Sequence, residues 1–104
     1  MDKETDIKIH HFLRLIKKEF SNIEKVYLFG SYARGLHTED SDIYIALIFN
    51  NLNDNTRFDI QVKLMLLAAD IDTRIEPHPI SYDDFIKENT FVREIKNTGI
   101  EMIA

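Results

Sequence analysis

The chain has 104 residues, room for one small domain that must bury most of its apolar side chains in a single core. A hydrophobic content of 44% argues against general disorder, no apolar run approaches the ~20 residues that span a bilayer, and the polar start MDKETD is no signal peptide. A net charge of −5 argues against an extended nucleic-acid surface, and the absence of cysteine excludes disulfides and thiolate metal sites, which fits a reducing cytoplasm.

In chain order, Ile9, Phe12, Leu13, Ile16 and Phe20 recur every three or four residues and predict an amphipathic helix over residues 5–20, with Lys17 and Lys18 in its last turn. Lys25–Phe29 (KVYLF) is short, β-branched and aromatic, and predicts a buried strand ending at Gly30. Ser31–Arg34 can form one helical turn that Gly35 ends in the left-handed conformation. Asp42–Phe49 (DIYIALIF) predicts a second, central strand, and NNLNDNT (50–56) a polar loop. A helix is expected over Arg57–Ala69, with Phe58, Val62, Met65, Leu66 and Ala69 along its apolar face. A third strand is expected over Ile71–Glu76, stopped by Pro77-His78-Pro79. Ser81 then N-caps one or two short helices that run to about Asn97, with Gly99 closing the last. The expected fold is a single α/β (α+β) domain, a small mixed sheet flanked by helices. The apolar end, Ile100–Ile103, is expected either to add an edge strand or to form a protein contact, including self-association.

The Gly30-Ser31 turn carries the first chemical signal. Glycine lets the backbone approach a phosphate, serine adds a hydroxyl donor, and Arg34 lies one turn later for a charge-assisted contact. Alone, such a short motif is weak. Asp42 strengthens it, because a loop of the right length brings this carboxylate back over the turn. A carboxylate beside phosphates makes sense mainly when Mg²⁺ lies between them. His10, His11, His37 and His78 lack the paired spacing of a zinc site, although His78 and Arg74 could line the cleft.

GSYARG followed by SDIY resembles the nucleotidyltransferase superfamily that includes DNA polymerase β, and specifically its small stand-alone minimal nucleotidyltransferases (MNT). The family pattern is Gly-Ser, ten residues, then Asp-x-Asp; here Gly30-Ser31 precedes Asp42-Ile43-Tyr44 at that spacing. The resemblance implies a nucleotidyltransferase fold and ATP as substrate, with Mg²⁺ or Mn²⁺ held by carboxylates. A nucleotidyl group, usually AMP, passes to a hydroxyl, and pyrophosphate leaves. It implies Gly30, Ser31 and Arg34 as nucleotide-binding residues and Asp42 as a metal ligand and catalytic residue. A further carboxylate comes from a later strand. By a two-residue period, Asp72, Arg74 and Glu76 share one face of IDTRIE; Glu76 is the preferred ligand, Asp72 the alternative, and a solvated row with Arg74 paired to its neighbours the bland reading. Members commonly act as antitoxins paired with a HEPN-domain toxin, and some adenylylate that partner. Tyr44 departs from the pattern. A neutral phenol is a poor magnesium ligand, so either catalysis is impaired or the chain is a silent member that neutralises a partner by contact.

Overall fold

Helix formation starts from side-chain caps. In the computed structural model, which describes residues 2–102, Asp2 accepts from the Thr5 amide and opens α1 (Lys3–Glu19). Ile9, Phe12, Leu13 and Ile16 are fully buried along its inner face, as their spacing predicts. Then come β1 (Ile23–Phe29), β2 (Ile43–Phe49), α2 (Asp54–Ala69), β3 (Ile75–Ser81), α3 (Tyr82–Lys87), α4 (Thr90–Thr98) and β4 (Ile100–Met102). The strands form one sheet of order β3-β2-β1-β4. β2 and β3 run parallel and the other pairs antiparallel, so the sheet is mixed, as expected.

β2 lies inside the sheet and buries both of its faces, which is why its sequence reads as a continuous apolar run. Ile43, Ile45, Leu47 and Phe49 pack with α1 and α2; Ala46 and Ile48 pack with Phe85 of α3 and with Val92 and Ile95 of α4. The result is three layers, with a pair of helices on each side of the sheet.

Three expectations are corrected. The third strand does not end at the prolines but begins at Ile75 and runs through Pro77 and Pro79. An edge position makes this tolerable: the Pro77 carbonyl points away from β2 and accepts from Gln61 Nε2 at 2.9 Å, so the missing amide is on the open side. Asp72 and Arg74 consequently lie in the turn before β3 and share no strand face with Glu76. The expected face of α2 is also rotated. Leu64 and Ala68 are buried, whereas Phe58, Met65 and Leu66 are exposed, because the helix is apolar on several sides and its period alone could not choose. The 50–56 loop is shorter than expected, since Asn53 caps α2 at Asp54.

The two short helices match expectation, with Ser81 Oγ accepting from the Asp84 amide. Gly99 follows α4 and donates to the Ile95 carbonyl; a Cβ there would sit 2.5 Å from that oxygen. The chain end adds an edge strand, β4, antiparallel to β1, with Met102 opposite Val26. Ile103, the last residue of the expected apolar end, lies outside the described residues. Among the described residues, no helix is long and apolar enough to cross a membrane.

Candidate functional site

The β1–β2 connection runs from Gly30 to Asp42. Gly30 has φ 77° and Gly35 φ 71°, both in the left-handed region that glycine enters most readily. Between them lies a single turn rather than a regular helix, closed by bonds from Arg34 N to Gly30 O and from Leu36 N to Ser31 O. Tyr32 anchors this turn. Its ring is buried and stacks on His37 at 4.1 Å, and its hydroxyl accepts from Arg74 Nη1 at 2.9 Å.

Arg74 ties the connection to the rest of the fold. Its guanidinium also donates to the Glu39 carbonyl, the Thr5 hydroxyl and the Asp72 carboxylate, the last at 2.8 Å. Asp72 is only 8% exposed and also receives Lys8. The Arg74 guanidinium, through its hydrogen bonds, holds the Asp72 carboxyl well below the usual carboxylate range against the opposing effect of burial. Sequence reasoning had no signal for this cluster beyond the proximity of Asp72 and Arg74, because Thr5, Lys8 and Tyr32 come from distant segments.

On the sheet, register sets the order of the remaining groups. Phe29 lies opposite Tyr44, and Tyr44 opposite Glu76, forming one row across β1, β2 and β3. Asp42, two residues before Tyr44, is exposed just ahead of β2, and the Tyr44 hydroxyl donates to its Oδ2 at 3.4 Å. Asp42 and Glu76 also line one common cleft, beside Arg74. The phenol is thus flanked by two carboxylates. The negative charge of Glu76, then burial and Asp42, push its pKa up.

A Gly30 Cβ would lie 2.8 Å from Tyr44 Cδ2, so the tyrosine ring rests directly against the turn. The ring also stacks on Phe29 at 5.4 Å, and His78 and Phe91 complete an aromatic group on this face. Burial lowers the pKa of His78 against the opposing charge of Glu76, and its buried Nε2 has no hydrogen-bond partner among the described residues; Glu76 Oε1 is 3.9 Å away. Arg34 and Ser31 lie at the mouth of the turn, and the Arg34 side chain makes no ion pair or hydrogen bond among the described residues.

Among the described residues, no group of three or more His, Asp or Glu side chains gathers in a metal-ligating arrangement. Asp42 and Glu76 are the two carboxylates of their common cleft, and magnesium takes one or two carboxylates and fills its octahedron with phosphate oxygens and water. Between them stands the Tyr44 phenol rather than a third carboxylate.

A polymerase beta nucleotidyltransferase family model matches residues 8–103. The chain belongs to this nucleotidyltransferase family. A candidate protein adenylyltransferase of Methanocaldococcus jannaschii is 42% identical over 67 residues, which is 64% of this chain and 64% of that relative. The chain therefore matches less than two thirds of that protein's length. A candidate nucleotidyltransferase from Sulfolobus solfataricus superposes with TM-score 0.62 and 19% identity, over 97% of this chain and 86% of that one. The complex of the tri-AMPylated Shewanella oneidensis HEPN toxin with its MNT antitoxin gives TM-score 0.58 and 18% identity, over 92% of this chain and 69% of that one. At these identities the structural matches establish the nucleotidyltransferase fold.

Proposed function

We propose that this family member binds Mg–ATP and transfers AMP to a hydroxyl, with a HEPN-domain toxin as the acceptor that it restrains as an antitoxin in the cytoplasm. One observation carries the reading: Asp42 and Glu76 line a common cleft, and Tyr44, which meets both, rests its ring against the left-handed Gly30 at the start of the turn. Ser31, Arg34 and the backbone of the turn bind the triphosphate. Asp42 and Glu76 would hold a magnesium ion, which would supply charge neutralisation for the phosphates. Glu76 is preferred to Asp72 because the Asp72 carboxylate is engaged by Arg74 and Lys8. Asp42 accepts the proton from the acceptor hydroxyl. Support comes from the adenylyltransferase relative and from the HEPN–MNT complex, one chain of which shares the fold.

Tyr44 favours a second reading, a catalytically silent antitoxin that neutralises its partner by contact alone. Without a second Asp, the attacking and leaving oxygens lose the two-ion clamp that addresses the transition state. Incubation with labelled ATP, Mg²⁺ and a HEPN-domain protein separates the readings. Label on the partner supports transfer, whereas a stable complex without label supports the silent antitoxin. Absence of ATP binding, measured by calorimetry, would refute the transfer reading and the nucleotide site with it.

A further inference from the structure

Beyond the phosphate turn, the same sheet face holds a cleft of about 160 Å³ between Gly30 and α4. Its walls include Phe29, Tyr44 and Phe91, with Arg34 and Glu94 also lining it. Phe29 packs in parallel on Tyr44 at 5.4 Å and edge-on to Phe91 at 5.5 Å. Phe91 is 43% exposed, an unusual state for a phenylalanine on a helix that otherwise turns Val92 and Ile95 into the core. The walls therefore offer aromatic surface to a flat apolar ligand.

Charge sets the ligand's orientation. Neither the Arg34 guanidinium nor the Glu94 carboxylate has a side-chain partner among the described residues. Arg34 belongs to the phosphate turn, so the anionic end of a ligand is drawn there. Glu94 repels phosphate and leaves its side of the cleft to an uncharged ring.

We propose that this cleft is the nucleobase site, with the base stacked against Phe91 and the Phe29–Tyr44 pair while the phosphates lie at Gly30 and Arg34. The inference rests on the nucleotide reading above and deepens it. It also gives Tyr44 a positive role: the ring that replaces a metal ligand forms a wall of the base pocket. Stacking on aromatic side chains discriminates weakly between bases, since every base presents a π-face.

Calorimetry on the whole chain with Mg²⁺ compares two probes, ATP and inorganic tripolyphosphate. Wild type is expected to bind ATP about tenfold or more tightly than tripolyphosphate, in line with base–aromatic stacking. Phe91→Ala should remove most of that advantage and leave tripolyphosphate binding unchanged, and Phe91→Tyr should retain it. Equal affinity of wild type for the two probes overturns the base site, as does an equal loss of both in Phe91→Ala. Failure of both probes to bind wild type refutes the phosphate site itself, a separate result. Should Phe91→Ala fail to fold, the fluorescence of 2-aminopurine riboside triphosphate with wild type decides: quenching on binding supports stacking, and an unchanged signal overturns it.

Discussion

Asp72→Ala provides the sharpest test of how the site is held. The substitution removes the carboxylate that accepts from Arg74 N at 2.9 Å, Nε at 3.1 Å and Nη2 at 2.8 Å. Breaking a fully buried ion pair costs about 3–5 kcal/mol, because the remaining charge is left unpaired. Arg74 is 27% exposed and keeps Tyr32 and Glu39 as acceptors, so water and these bonds reduce the expected loss to about 2 kcal/mol. For a domain of this size that corresponds to a fall in Tm of about 10 °C. The pH dependence has a defined sign. Because the folded-state pKa of Asp72 is depressed, its contribution is complete above the unfolded value of about 3.9 and is lost as pH falls below it. Urea unfolding of both proteins should therefore show a difference that is constant near neutrality and narrows in acid. A difference under about 1 kcal/mol at neutral pH, or one that widens in acid, would refute the reasoning. Unchanged ATP affinity per folded molecule would further assign Asp72 to structure rather than to metal binding.

Tyr44→Asp should raise AMP transfer by orders of magnitude on the proposed reading, by supplying the missing shared ligand; equal rates in wild type and variant would remove the ligand argument. Ser31→Ala and Arg34→Ala should each diminish the Tm increase that Mg–ATP produces, and an undiminished shift would move the phosphate site elsewhere. Gly30→Ala combines a positive φ with a 2.8 Å contact on Tyr44, so thermal unfolding should show a loss of about 1–3 kcal/mol; a neutral result would mean that the turn relaxes freely. Deleting residues 100–104 removes β4 from the edge of β1 and uncovers Val26, so the truncated chain should melt lower. Retention of Tm together with loss of a dimer in sedimentation would instead assign the segment to an interface.

Local patterns made much of the fold legible. The α1 face, the buried run of β2, the Ser81 cap and the glycine after α4 depend on neighbours within a few residues, which sequence spacing displays directly. The turn at Gly30 was legible for the same reason, since a glycine directly after an apolar strand marks a positive-φ turn. Tertiary structure decided the rest. α2 presents several apolar sides, and only the position of the sheet selected Leu64 and Ala68 over Phe58 and Leu66. Two prolines argued for a break, yet β3 continues through them because an edge strand leaves one side's amides unused. That later start separated Asp72 from Glu76, giving one to a structural ion pair and the other to the row beside Tyr44. The aromatic cleft joins Phe29, Tyr44 and Phe91 from β1, β2 and α4. No local period connects residues from three such elements; the packing of α4 against the sheet brings them together.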